Sequence, residues 1–347
     1  MPGEVNRRKF IQWSFLWALG VSLAGCGLSP PWGREVDYGE EEREENERKK
    51  DEESREREDA TVPQLDDHPL PRRYLGKTGL TVSLLGLGGA FLVAQEERQQ
   101  EAEEFIHHAI DLGINYLDTA PTYGYSENNL GRVMGDRRRE VVLASKSEER
   151  SYDGVMRDFQ GSLERLQTDY LDLYQLHGVH SEASLREVAD KAGALKALEE
   201  LKSNGDISFT GITGHKHASL LGKALREYNF DAVLMTVNCA DVHDDSLIAE
   251  VLPQATQRKM GVIGMKVVSY GRLLEEEGGA VPIKTALDYA LTHPVSSVVV
   301  GMDSISQLEE NVKIAKEFTP LSPQKMEEIE ELAYPYQEQA NFFKREW

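Results

Sequence analysis

From Arg72 onward, short runs of β-branched and apolar residues alternate with segments whose apolar residues recur at the helical period. Few folds accommodate that alternation. The runs are Val82–Leu87, Ile114–Thr119, Val141–Lys146, Leu171–His177, Phe209–Thr213, Ala232–Asn238, Gly261–Lys266 and Ser297–Met302. Between them lie helical patterns; in Glu101–Leu112, Ala102, Phe105, Ile106, Ala109 and Ile110 form one stripe. Largely apolar strands separated by helices belong in parallel sheets covered on both faces. Eight such units in about 260 residues predict an α/β fold, a (β/α)8 TIM barrel. Ahead of them, Arg73-Tyr74-Leu75 and Leu80-Thr81-Val82, joined through Gly76-Lys77-Thr78-Gly79, predict an N-terminal β-hairpin. A doubly wound sheet is the alternative topology, but Gly86-Leu87-Gly88-Gly89 lacks the third glycine of a dinucleotide fingerprint.

In a parallel barrel the C-terminal strand ends converge on one face, where chemistry is normally housed. Asp118 falls at the end of the second run, Lys146 at the end of the third and His177 at the end of the fourth. Tyr123 follows Asp118 in the loop Thr119-Ala120-Pro121-Thr122-Tyr123-Gly124. A phenol with an ordinary pKa near ~10 is a poor acid at neutral pH unless its phenolate is stabilised. Lys146 is expected to lower the Tyr123 pKa, Asp118 to hold Lys146 charged, and His177 to assist Tyr123 in proton transfer. Each residue also has a plain structural reading: an ion pair, a loop aromatic, a core histidine. Their coincidence at matching strand ends points to a proton-transfer site. The spacing of His177, His180 and His215 is not that of a metal-ligand set.

The rest of the chain narrows the function. The 347 residues carry a formal net charge of −21, which excludes a nucleic-acid partner. Much of the excess is local, with 13 acids against 6 bases in residues 37–59. Two cysteines, Cys26 and Cys239, exclude a disulfide framework or a cysteine-based metal site. Residues 1–26 join a basic start, Asn6-Arg7-Arg8-Lys9-Phe10, to an apolar run of roughly 15 residues and a small-residue exit, as in an export signal. The start resembles a twin-arginine motif, and Leu23-Ala24-Gly25-Cys26 resembles a lipobox, which implies lipidation at Cys26. Residues 27–70 read as a disordered charged linker.

Over residues 71–333 the chain resembles the aldo-keto reductases. The resemblance rests on Asp118–Gly124, the strand end at Lys146, the stretch Ser162–His177, and Gln307-Leu308-Glu309-Glu310-Asn311-Val312. It implies reduction of a carbonyl, a hydride going to carbon and a proton to oxygen, with His177 bonding the carbonyl oxygen or assisting Tyr123. It also implies an extended nicotinamide cofactor, NADP or NAD, across the barrel mouth, with Gly88 at the first strand end beside it. The adenosine end would lie after the eighth strand, where Gly301-Met302-Asp303-Ser304 is followed by Gln307, Glu310 and Asn311. Glu310 and Asn311 match residues the family uses on adenine. The basic group that commonly meets a 2′-phosphate is replaced by neutral Gln307 and acidic Asp303, so NAD stands beside NADP. Thr213-Gly214-His215 replaces the usual Ser-Asn, and Leu234 or Met235 stands for a frequent glutamine, with Asn238 as the nearby amide. Met265-Lys266 replaces an aromatic. Lys266, Gly271 and Arg272 are then expected at the pyrophosphate, or Lys266 and Arg272 are plain surface cations.

Gly178–Lys191 and the aromatic tail 334–347 are natural lids; the tail either walls an apolar pocket or packs on the barrel exterior. The chain is thus expected to be an exported, membrane-anchored oxidoreductase, carried by the twin-arginine machinery and held through lipidated Cys26. Its reaction would interconvert small-molecule carbonyls and alcohols. Twin-arginine export of a folded domain would carry the cofactor out already bound. The rival is a non-catalytic dinucleotide- or ligand-binding protein on the same barrel.

Overall fold

The computed structural model describes Gln64–Leu65 and residues 69–346; the leader, with Cys26, and most of the charged linker lie outside these residues. Eight parallel strands close into a barrel in chain order: β4 (Leu85–Gly88), β5 (Tyr116–Asp118), β6 (Val142–Ser147), β7 (Leu171–Leu176), β8 (Ile207–Gly214), β9 (Ala232–Thr236), β10 (Gly261–Met265) and β11 (Ser297–Val300), with β11 pairing back onto β4. Strand β1 (Gln64–Leu65) pairs antiparallel with β2 (Arg72–Tyr74), and β2 with β3 (Thr81–Ser83).

Two expectations shift. The run Val82–Leu87 is broken at Leu84: Val82 and Ser83 belong to the hairpin, and the barrel strand starts at Leu85. The segment expected as linker ends earlier than residue 70, because Gln64–Leu65 joins the hairpin sheet and Leu70 is fully buried. Among the described residues no helix is long and apolar enough to cross a membrane.

The barrel interior is filled by every second residue of its strands: Tyr116, Val142 with Ala144, Leu173, Ala232 with Leu234, Ile263 and Val299. Leu75 and Val82 of the hairpin belong to the same cluster, so the hairpin stops one end. Arg73 pins it there, donating to Val295 O at 2.7 Å and Leu291 O at 3.0 Å behind the helix Ile283–Thr292. Burial lowers the Arg73 pKa to about 10.

The outer helices bury the stripes their sequences predict. Tyr152–Leu166 is capped by Ser151, whose side chain accepts from Gly154 N, and packs Val155, Phe159, Ser162 and Leu166 inward. It stops at Gln167 in left-handed backbone, φ 50°.

Candidate active site

Continuing the interior alternation toward the C-terminal strand ends brings polar groups into the barrel. On β5, Tyr116 is followed two residues on by Asp118; on β6, Ala144 by Lys146; on β7, Leu173 by Gln175. Register places them side by side, with Asp118 opposite Ala144 and Lys146 opposite Gln175. Lys146 is fully buried, and its Nζ donates to Asp118 Oδ2 at 2.6 Å and to Thr119 O at 2.8 Å. Gln175 Nε2 donates to the other carboxylate oxygen, Oδ1, at 3.2 Å. A Cβ at Gly211 would lie 2.8 Å from Gln175 Cγ, so glycine on β8 makes room for this amide.

Lys146 Nζ stands 4.5 Å from the centre of the Tyr123 ring, and the His177 ring meets Tyr123 edge-on at 5.8 Å. All four predicted groups therefore converge. Their electrostatics differ from expectation at one point. Burial pushes the Tyr123 phenol up, Lys146 pulls it down, and the balance leaves it above the ordinary tyrosine value. Tyr123 thus keeps its proton at neutral pH. Burial also works against the charge on Lys146, yet Asp118 and Tyr123 outweigh it and hold the amine above its usual value. His177 is lowered, first by burial, and its Nδ1 lies 3.2 Å from Glu148 Oε1. Arg150 fastens the adjacent backbone, donating to His177 O at 2.8 Å.

A cleft of about 620 Å³ opens from Asp118 and Tyr123 and runs outward between the loops after β4, β10 and β11. Of the predicted cofactor residues, Gly88, Lys266, Gly271, Gly301, Gln307, Glu310 and Asn311 line it. The other four do not. Thr213 is buried, and its hydroxyl accepts from Gly178 N at 2.9 Å. Asn238 is buried, donating to Lys266 O at 3.1 Å and accepting from Ala240 N at 2.9 Å. These two bond to the loops beside the cleft. The Arg272 guanidinium stacks 3.7 Å from the Phe342 ring centre, and Ser304 caps the helix Ile305–Lys316 through Gln307 N. Lys266 is a cleft residue: burial, then the nearby Lys146 charge, lowers its amine to about 7, and it donates to Tyr270 Oη at 3.0 Å.

Phe91, Lys266, Ser269 and Tyr270 all line this cleft with positive φ, between 48° and 67°. Such backbone costs of order 1–3 kcal/mol per residue and clusters at ligand clamps. The Phe91 and Tyr270 rings meet at 5.6 Å. A Cβ on Gly301 would strike Phe91 Cδ2 at 2.1 Å, and one on Gly88 would come within 3.1 Å of the Val300–Gly301 backbone. Glycines and strained turns thus line the cleft together.

In the tail, Phe343 is buried against His215 at 5.8 Å and lies near the cleft residue Lys266, while Tyr334 remains exposed. The tail is anchored by Lys344, whose Nζ donates to Asp241 Oδ1 at 2.6 Å in a buried pair. Sequence reading missed Gln175, Glu148, Phe91 and the Asp241–Lys344 pair. The signal for Gln175 was there: it is an amide two residues after the interior-facing Leu173 on the same strand. Nothing local marks the other three.

The aldo/keto reductase family profile matches residues 84–281. L-galactose dehydrogenase of Arabidopsis thaliana is 31% identical over 310 residues, covering 76% of this chain and 94% of that protein. An uncharacterized oxidoreductase of Bacillus subtilis, YqkF, is 29% identical, covering 70% of this chain and 90% of its own. Among solved structures, the holo form of the aldo-keto reductase AKR11C1 from Bacillus halodurans superposes with TM-score 0.64 at 29% identity, over 76% of this chain and 96% of that one.

Proposed function

Because this chain belongs to the aldo/keto reductase family, we propose that it is an oxidoreductase interconverting carbonyls and alcohols with a nicotinamide dinucleotide, Tyr123 being its general acid in reduction and base in oxidation. The observation that carries this reading is the buried Asp118–Lys146 pair set beneath Tyr123 at the inner end of the cleft. The residues fit such a cofactor: Gly88 and Gly301 line its path, Lys266 offers an amine along it, and Gln307 and Asn311 stand at the outer end. When bound, the nicotinamide supplies or receives the hydride.

The chain's own groups handle the proton. A substrate carbonyl oxygen between Tyr123 and His177 would accept hydrogen bonds from the phenol and from the neutral imidazole. As negative charge develops on that oxygen, Tyr123 releases its proton to it. The phenolate left behind is the species Lys146 stabilises, so the cation acts on the charge that appears during reaction rather than on the resting phenol. Asp118, held by Lys146 and Gln175, keeps the amine charged and aimed. Burial holds His177 neutral at pH 7, so it donates one N–H without adding a competing charge.

The same reading takes the chain as exported and anchored at a membrane through Cys26, on the strength of its leader motifs. Intact mass of the mature N-terminus tests that directly, since retention of Met1 would refute it. The rival, a dinucleotide- or ligand-binding protein without turnover, draws on one observation: Thr213 and Asn238 are taken up by internal partners. Turnover decides between them. Wild-type protein should reduce members of a panel of aldehydes and ketones, and Tyr123→Phe should lose at least ~10²-fold in kcat while still binding dinucleotide. Dinucleotide binding with no turnover across the panel, or undiminished turnover in Tyr123→Phe, would overturn the proposal.

A further inference from the structure

The outer end of the cleft carries a charge pattern that the family resemblance leaves open. Among the described residues, the charged groups lining that end are all carboxylates: Asp303 and Glu310 after β11, and Glu276 and Glu277 from the loop after β10. Lys266 is the one cation among the described lining residues, and it sits at the inner end, close enough to Lys146 to feel its charge. Two nearby guanidinium groups are engaged elsewhere. Arg98, which senses Asp303, forks onto Glu101 with Nε at 2.7 Å, and Arg272 lies over Phe342. Two backbone donors at this end are also taken: Asp303 N donates to Gln307 Oε1 at 2.8 Å, and Gln307 N to Ser304 Oγ at 3.3 Å.

We propose that the cleft selects NAD(H) against NADP(H), and that Asp303 and Glu310 are the residues that select. The proposal rests on reading the cleft as a dinucleotide site. A free ribose 2′-hydroxyl is a hydrogen-bond donor and suits a carboxylate, whereas a 2′-phosphate brings close to two negative charges and only acceptors. The general rule is the same in other dinucleotide folds, where an acid takes the hydroxyl and an arginine the phosphate. Asp303 and Glu310 are exposed, so water and salt weaken each repulsion. Together the two give a discrimination on the order of tenfold or more. The net charge of −21 adds a diffuse repulsion of the same sign.

The test uses the full-length protein and follows quenching of intrinsic fluorescence by NADH and NADPH at low salt. Adenosine 5′-monophosphate and adenosine 2′,5′-bisphosphate serve as competitors that probe the adenosine end alone. NADH should bind at least ~10-fold tighter than NADPH, and the monophosphate should compete better than the bisphosphate. The gap should narrow in 0.5 M salt, because screening removes the repulsion and leaves the hydroxyl bond. Asp303→Arg combined with Glu310→Gln should close it, chiefly by tightening NADPH. Equal or tighter NADPH binding by wild type would overturn the proposal. So would a gap that Asp303→Asn and Glu310→Gln both leave unchanged. If neither dinucleotide binds, the dinucleotide reading of the cleft falls too; if NADPH binds as well as NADH, only the selection falls.

Discussion

At the scale of single residues, the Asp118–Lys146 pair must be costly to disturb whether or not it works in catalysis. Both groups are almost wholly removed from water, and Lys146 depends on Asp118 to hold its charge. Removing one partner of a buried pair leaves an uncompensated ion, at roughly 3–5 kcal/mol, whereas replacing both with neutral groups is far milder. Lys146→Met should therefore lower stability by that amount, and Asp118→Asn in the same chain should recover most of it. Denaturant melts of the two single variants and the double variant measure this. Turnover should behave differently: the double variant regains stability yet stays at least ~10²-fold down in kcat, because no cation faces the Tyr123 phenolate. A double variant that recovers both would reduce the pair to a structural role. The resting Tyr123 matters here too. Sequence logic expected Lys146 to lower its pKa; the loop that sequesters the ring opposes this through burial, which no residue type in Asp118–Gly124 announces.

At the scale of elements, what was legible follows periodicity and what was not follows long-range packing. The strand runs placed all eight barrel strands, and their ends placed Asp118, Lys146 and His177, because alternation and strand length are local properties. The split at Leu84 escaped because the bend between hairpin and barrel is set by Asn115, whose side chain takes Ser83 N at 2.7 Å from 32 residues away. Thr213 and Asn238 were legible as polar residues near the mouth, but their hydrogen-bond partners were not; Gly178 N and Lys266 O lie on neighbouring units. The tail could not be placed from sequence for the same reason. Its anchor, Lys344 on Asp241, spans about a hundred residues of chain and is fixed further by Asn341 Nδ2 on Ala240 O at 2.8 Å. Lys344→Met should thus cost about 3–5 kcal/mol by stranding Asp241, and the Asp241→Asn, Lys344→Met pair should restore most of it. Since Phe343 beside Lys344 packs near the cleft residue Lys266, the single variant should raise KM for a carbonyl substrate more than it lowers kcat. A kcat loss at unchanged KM would show that the tail acts on the chemistry instead.

At the scale of the molecule, two electrostatic arguments make opposite forecasts for stability against pH. The chain has pI ≈ 4.9, so acidification toward that value relieves self-repulsion and should favour the compact state. Against this stand buried basic groups whose folded pKa values are depressed. Lys266 falls to about 7, His180 and His293 to about 4, His215 to about 3, and His177 is lowered as well, in each case first by burial. For every one of them the unfolded chain binds the proton more readily. Stability from these groups is therefore complete only above their unfolded values and is lost as pH falls. Lys266 gives up its share between about 10.5 and 7, and the histidines begin to give up theirs below about 6.5. Lys146, shifted upward, matters only above its unfolded value. The local shifts act at short range in poorly solvated surroundings, while self-repulsion among surface charges is screened within about 10 Å at 0.1 M salt. The local groups should prevail. The melting temperature should be higher at about pH 9 than at pH 5 by at least about 5 °C, pH 5 lying above the range where most carboxylates titrate. His293→Phe, which keeps the edge contact with Tyr289 but cannot take a proton, should make the decline between about pH 6.5 and 5 shallower. A melting temperature that rises steadily toward pH 5 would show that net charge, rather than these buried groups, sets the stability of the barrel.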